Sequence, residues 1–412
     1  MSKKAIQIER PTVQATEVLR DDPERQLLSI GRAAWWYLKL WTGNIFGFRL
    51  PFRSISATET EENVPLPRLP MFWLKAILVL RGLVGNNFIF KEAAARQAAK
   101  VLEHLKTHGV LAQDRAVPVY DMRTGSREDF IARFATANTP VVVKGLSDVE
   151  HWSIDWLLRT YGDTTVLFTD LTTAKSYEGQ LREIAVPNES GEVPYLHNSG
   201  RFFEQHPHLL RDLALDKLQL VEGDSFAQQL FVGMKRGSGS PFHCAGPVNL
   251  FYQLEGVKRW TFVHPEYSFL LYPYLSRMNT YQTSLVGFPD IGRDYAEVPL
   301  FRYCPRFSVD LQKGDVLLSP SWWYHAVENR TERTLAVATR WPNAGQADSN
   351  RLYNFLYFHP RRIPTLIGQV IKFAAGRGPG AQTLFEGGAH DDAAADVASG
   401  DARRAWGLKA PG

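Results

Sequence analysis

Two stretches of the chain alternate in side-chain character with the period of a β-strand. They are Asn249-Leu250-Phe251-Tyr252-Gln253-Leu254 and Val257-Lys258-Arg259-Trp260-Thr261-Phe262-Val263. Glu255-Gly256 between them reads as a tight turn, which predicts a hairpin with Leu254 opposite Val257 and Gln253 opposite Lys258. A further strand is expected from Pro241 onward. If it is unbroken, His243, Ala245, Asn249, Phe251 and Gln253 share one face, and the hairpin adds Lys258, Trp260 and Phe262 to it. Cys244 has the opposite parity and faces outward. Gly314-Asp315 is a turn signal before an apolar strand that leads through Trp322-Trp323 to His325, and a last strand runs from Thr334 to Trp341. Upstream, strands are expected at 140–145, 165–169 and 231–233, with a helix at 129–134. Gly237 to Ser240 reads as a flexible link. Tyr272 to Pro305 is a long insertion between core strands, of the kind that carries function.

Helical patterns flank this β-rich part. Residues 33–41, 70–81 and 91–108 precede it and 350–375 follow it. The expected organisation is a mobile N-terminus (1–27), an aromatic-rich helical region (28–116), a β-rich catalytic domain (117–345), C-terminal helices (346–386) and a disordered tail (387–412). The segments Trp35 to Trp41 and Met71 to Leu80 fit either packing against the β core or peripheral contact with a membrane surface. Packing is the commoner cause of such patterns. Neither is long and apolar enough to span a bilayer.

Composition narrows the class. With 412 residues, 44% hydrophobic and 22% charged, the chain is globular. A formal net charge of +4 is too slight to indicate nucleic acid. Two cysteines make no disulfide framework, and a cytoplasmic location, with membrane association as a variant, is expected.

The chemistry concentrates in two places. His243 and His325 are candidate metal ligands, since imidazole suits iron, zinc or copper. Lys258, aimed at an apolar interior, needs an anionic partner that a bound dicarboxylate would supply. His197, His206 and His208 read as surface or capping residues, and His264 lies beyond its strand end.

The motif from His243 through Gly256-Val257-Lys258-Arg259-Trp260 to Gly314-Asp315 and Pro320-Ser321-Trp322-Trp323-Tyr324-His325 resembles the Jumonji-C and cupin-like iron(II)/2-oxoglutarate oxygenases, nearest in motif to the asparaginyl-hydroxylase branch. The resemblance covers about residues 117 to 342. It implies a mostly β core with α additions, folded as a double-stranded β-helix (a cupin-like jelly roll) with N- and C-terminal helices. It implies iron(II) at His243 and His325, and 2-oxoglutarate on Lys258 with Asn249 and Ser240 nearby. Phe251, Trp260 and Trp323 are expected as pocket walls. It also suggests a homodimer through the C-terminal helices.

Two residues depart from the family. Where it places Asp or Glu two residues after the first histidine, this chain has Ala245, so the two-histidine, one-carboxylate triad lacks its carboxylate. Arg340 stands where that branch has a small amide, and could clamp a carboxylate or pair with a halide. A small residue at the Ala245 position is a feature of iron halogenases, in which chloride or bromide binds in the carboxylate's place. The leading expectation is therefore a halogenase. The alternatives are a hydroxylase whose site is completed by water, substrate or a distant carboxylate, and a non-catalytic binding or scaffold protein. The substrate, whether small molecule, lipid-like or protein, is not in the sequence.

Overall fold

A computed structural model gives the fold of the chain. It describes residues 64–341 except 85–89, 110, 113, 147–148, 170–175, 188–190, 192, 215–216, 219–226, 276–281 and 290–295. Beyond 341 it describes Leu352, Tyr353, Leu356 and Trp406. The expectations for 1–27 and 33–41, and nearly all of those for 346–412, lie outside the described residues.

Eight strands build the core. They are β1 (Ala227–Gly233), β2 (Gly239–Cys244), β3 (Val248–Glu255), β4 (Lys258–Val263), β5 (Arg306–Leu311), β6 (Val316–Ser319), β7 (Tyr324–Asn329) and β8 (Thr334–Trp341). They belong to two seven-stranded sheets, one with the order β5-β4-β7-β2 and the other with β6-β3-β8-β1. All neighbours within these quartets are antiparallel. The chain passes from one sheet to the other at every step except β4 to β5. The result is a mostly β core carrying helices, consistent with a cupin-like jelly roll. The strands expected at 140–145, 165–169 and 231–233 are present, as is helix at 129–134.

The expected hairpin is not formed. Glu255-Gly256 does turn the chain, but it turns it out of one sheet and into the other. Gln253 pairs with Ala336, and Lys258 lies between Leu311 and Asn329. The reason is burial on both faces. In β3 every residue except Glu255 is buried, so its alternation is one of packing partners rather than of polarity. A one-sided hairpin would leave Leu250, Tyr252 and Leu254 in water. The strand from Pro241 is likewise not continuous to Asn249. It stops at Cys244, and Ala245 to Pro247 carry the chain across to the other sheet.

Three apolar clusters follow. Between the sheets lie Phe231, Phe251, Trp260, Phe262, Leu317 and Ala336. Outside the β3 sheet, Leu250, Tyr252 and Val337 pack against Phe130, Trp152 and Leu157. Outside the β2 sheet, Phe242, Cys244 and Tyr324 pack against two helices, α1 (Arg68–Val84) and α2 (Lys91–His108). Cys244 thus faces outward as its parity predicts. Helix α1 buries Met71, Leu74, Ile77 and Leu78, and α2 buries Ala94, Ala98, Val101 and Leu105, each at helical spacing. The opposite side of α1 leaves Phe72 and Trp73 about half exposed. No helix among the described residues is long and apolar enough to cross a membrane.

The corner between β3 and β4 depends on glycine. Gly256 has φ +71°, and a Cβ there would stand 2.0 Å from the Arg333 carbonyl oxygen. Gly256→Ala should therefore cost more than left-handed strain alone, about 3 kcal/mol, read as a lower urea midpoint at unchanged m-value. Gly314, at φ +87° with open space around it, is the control, and Gly314→Ala should lose only about 1 kcal/mol.

Candidate metal and anion site

The site is built on a mismatch between β2 and β7. His243 pairs with His325 and Ser240 with Val327, so Pro241 and Phe242 together oppose the single residue Ala326. This is a β-bulge, and Pro241 is tolerated in it because bulged positions need not donate to the ladder. The extra residue lets Ser240 and His243, three apart, both face inward, while Phe242 goes to the outer cluster. Strand β4 adds Lys258 and Trp260, β3 adds Asn249 and Phe251, and β8 adds Arg340. Together they line one small, partly open cavity.

The two imidazoles are oriented alike. His243 Nδ1 is 2.8 Å from the Pro241 carbonyl oxygen, and His325 Nδ1 is 3.0 Å from that of Trp323. A carbonyl only accepts, so each Nδ1 carries the proton and each lone pair sits on Nε2, the form a metal ligand requires. Burial pushes His243 down to about 4, and the Arg340 charge adds to it. Burial also drives His325 well below its ordinary value, helped by His243 and Arg340. Both rings are therefore neutral near pH 7.

Ring spacing tests whether one ion fits. A metal about 2.1 Å from a ring nitrogen is about 3.2 Å from the ring centre, so two rings in neighbouring coordination positions have centres about 4.5 Å apart. The observed separation is 4.4 Å, with 60° between the planes. No third His, Cys, Asp or Glu completes a metal-holding group among the described residues.

The cations sit beside this pair. Lys258 has no solvent exposure. Its ammonium donates to Asn329 Oδ1 and lies 5.7 Å from the centre of the Tyr195 ring. Asn329 is held in turn by its Nδ2 donating to Ser238 Oγ at 2.8 Å. With no carboxylate against it among the described residues, burial pushes the Lys258 ammonium down to about 7. Arg340 donates through Nε to Gln229 Oε1 at 3.1 Å. None of the described residues lining the cavity is acidic. Asn249 Oδ1 and Trp260 Nε1, both on lining residues, are buried without a hydrogen-bond partner. Two basic groups and the unsatisfied Trp260 indole N–H fit an anion with several oxygens.

Eight of the residues singled out from the sequence line the cavity: His243, His325, Lys258, Asn249, Ser240, Arg340, Phe251 and Trp260. Two do not. Trp323 packs beside Phe262 and Phe307 and donates its indole N–H to the Asn138 carbonyl at 2.7 Å, so only its own carbonyl reaches the site, through His325. Ala245 stands just past the end of β2, where its carbonyl accepts the Trp322 N–H at 2.9 Å. Tyr195, Phe231 and Val327 also line the cavity. Val327 was within reach of parity, two residues beyond His325. Tyr195 had no local signal, because a separate strand beside β1 delivers it. The other histidine side chains among the described residues do not line the cavity. His206 contacts Thr164, His208 contacts Tyr161, and His264 caps a helical turn.

Anion binding should follow Lys258. Below pH 7 the ammonium is already charged. Above it, a bound dicarboxylate must draw in a proton, so affinity falls as pH rises, by up to about tenfold per unit. Titration calorimetry with 2-oxoglutarate should show this fall between pH 7 and 9. Lys258→Met should bind about 2–3 kcal/mol more weakly at pH 6 and lose the slope. An unchanged profile in the variant would remove Lys258 from the anion site.

Comparison with known proteins agrees with the mostly β fold. Residues 79–346, more than half of the chain, match the cupin-like domain family. The chain is 27% identical over 139 residues to the HSPB1-associated protein 1 homolog of Danio rerio, covering 33% of this chain and 30% of that protein. It is 26% identical over 157 residues to JmjC domain-containing protein D of Dictyostelium discoideum, covering 35% and 34%. It is 24% identical over 244 residues to tRNA wybutosine-synthesizing protein 5 of Mus musculus, covering 52% and 75%. The matches to the first two span about a third of those proteins' length. With its paired imidazoles at the centre of a two-sheet β core, the chain belongs to the cupin-like domain family, with Jumonji-C-type proteins among its relatives.

Proposed function

We propose that the protein is an iron(II)- and 2-oxoglutarate-dependent oxidative enzyme, built on a double-stranded β-helix, that acts on an unactivated C–H bond. One observation carries the reading. A pair of cross-strand imidazoles, each with its Nδ1 tied to a main-chain carbonyl, shares a cavity with a fully buried lysine, and none of the described lining residues is acidic. Imidazole suits iron, and a buried ammonium without a carboxylate calls for an anionic ligand. Iron with 2-oxoglutarate supplies oxidation by dioxygen. The chain's own residues bind and orient. His243 and His325 hold the metal, Lys258 and Arg340 hold carboxylates, and the Trp260 indole N–H gives a further donor. Trp260 also stacks on His325, ring centres 5.3 Å apart, and fixes that imidazole in place.

Within this class the reading is a halogenase. Ala245 brings no ligand to the metal, and the Arg340 charge felt by both imidazoles favours an added anion there. Chloride or bromide would take the position that a carboxylate takes in relatives. The overall reaction balances: R–H, halide, a proton, dioxygen and 2-oxoglutarate give R–X, succinate, carbon dioxide and water. Hydroxylation, with water or a substrate group in that position, is the competing outcome.

The test is spectroscopic and needs no substrate. Anaerobic wild-type protein with iron(II) and 2-oxoglutarate should develop a metal-to-ligand charge-transfer band that moves when chloride is exchanged for bromide. Ala245→Asp should keep the band and lose the halide response. A wild-type band indifferent to halide would leave the hydroxylase. Absence of any band, together with no succinate release in air, would end the enzymatic reading and leave a binding protein.

A further inference from the structure

The buried lysine is aimed by a chain of hydrogen bonds that runs in one direction. Ser238, between β1 and β2, donates its hydroxyl proton to the Lys235 carbonyl at 2.6 Å. A carbonyl has no proton to give back, so the Ser238 oxygen is left to accept. It accepts from Asn329 Nδ2 at 2.8 Å. The two ends of an asparagine amide are nearly alike in shape and opposite in polarity, so only such a partner distinguishes them. With Nδ2 committed to Ser238, Oδ1 is turned to Lys258, whose ammonium carries donors only. A reversed amide would set donor against donor and push the ammonium away.

The main chain makes this arrangement stiff. Asn329 closes β7 and is the direct cross-strand neighbour of Lys258 in β4. Its carbonyl accepts the Gly237 N–H at 2.8 Å, and its N–H donates to the Ser238 carbonyl at 2.8 Å. One turn thus holds Asn329 by backbone and by side chain. Gly233, at the end of β1, leaves room for the amide, since a Cβ there would stand 2.4 Å from Asn329 Nδ2. Lys258 and Asn329 are fully buried, whereas Lys235, Arg236 and Gly237 in the turn are exposed. None of the groups in the chain from Lys235 to Asn329 is a carboxylate, so Lys258 is oriented without being neutralised.

We propose that Ser238 and Asn329 are positioning residues for the distal carboxylate of a 2-oxo diacid. The turn of residues 235–238 fixes the Asn329 amide, and the amide points Lys258 at that carboxylate. The inference rests on the reading of Lys258 as the dicarboxylate anchor and adds what aims it. It also assigns a selectivity. The network acts on the far end of the ligand and is indifferent to its 2-oxo acid end.

Two ligands separate the ends. 2-Oxopentanoate carries a methyl group where 2-oxoglutarate carries its distal carboxylate. Each is titrated calorimetrically into the full chain with manganese(II) present, so that no turnover is needed. The wild type should prefer 2-oxoglutarate. Ser238→Ala should bind 2-oxoglutarate about fivefold more weakly, an ordinary size for coupling within one hydrogen-bond network, and 2-oxopentanoate as before. Ser238→Thr keeps the hydroxyl and should match the wild type. Asn329→Asp gives the ammonium a permanent carboxylate partner and should weaken 2-oxoglutarate about thirtyfold. Ser238→Ala added to Asn329→Asp should change nothing further, because a carboxylate offers an oxygen to Lys258 whichever way it turns. Equal 2-oxoglutarate affinity in wild type and Ser238→Ala, or parallel losses for both acids in that variant, would overturn the positioning role and leave Lys258 as the anchor. A wild type that takes 2-oxoglutarate no better than 2-oxopentanoate would remove the dicarboxylate reading itself, and the positioning role with it.

Discussion

The surplus residue in β2 is the constraint on which the site depends. His243 and His325 are direct cross-strand neighbours, and Ser240 and Val327 are neighbours again a few residues further on, with one residue too many between them on β2. Without the bulge, Ser240 and His243 would face opposite sides of the sheet, and either the imidazole pair or the floor beneath it would be lost. The bulge also brings the Pro241 carbonyl to the His243 Nδ1. The same device on β7, two residues back from His325, uses the carbonyl of Trp323. Main-chain oxygens thus fix both tautomers, and the outer neighbours of the imidazoles need not carry any special side chain.

Around that pair the cavity is electrostatically one-sided. Its walls are aromatic, its polar atoms partly unsatisfied and its charges positive. Such a composition is costly in an empty protein, and Lys258 shows the cost in its lowered proton affinity. Asn329 and Ser238 share a hydrogen bond that steadies the ammonium without neutralising it. A carboxylate in Asn329's place would have neutralised the lysine directly.

Much of this was legible in the sequence, because strand parity is local. It placed His243, Lys258, Trp260, Asn249 and Phe251 toward one interior and sent Cys244 outward, whereas Arg340 was singled out only through the family resemblance. Which strands pair was not local. Glu255-Gly256 carries every mark of a hairpin, yet β3 and β4 part company because both faces of β3 are buried. The inward set survived that error because both sheets turn their inner faces to the same cavity. The Trp322-Trp323 pair was opaque for another reason. Trp322 has φ +64°, an uncommon conformation for a bulky side chain, so period-two counting fails at that point. Tyr195 comes from more than forty positions upstream of the first histidine, and only the packed structure brings its ring against Lys258.

That same Trp322 holds residue 245 through the main chain alone, its N–H donating to the Ala245 carbonyl. Any amino acid with an ordinary backbone could accept the bond, so this hydrogen bond does not depend on which side chain stands there. Alanine and aspartate codons differ by a single base. A lineage could therefore change the side chain at 245 in one step without losing the hydrogen bond that anchors its backbone. Residue 245 is thus open to change, whereas the bulge that aligns the imidazoles is not.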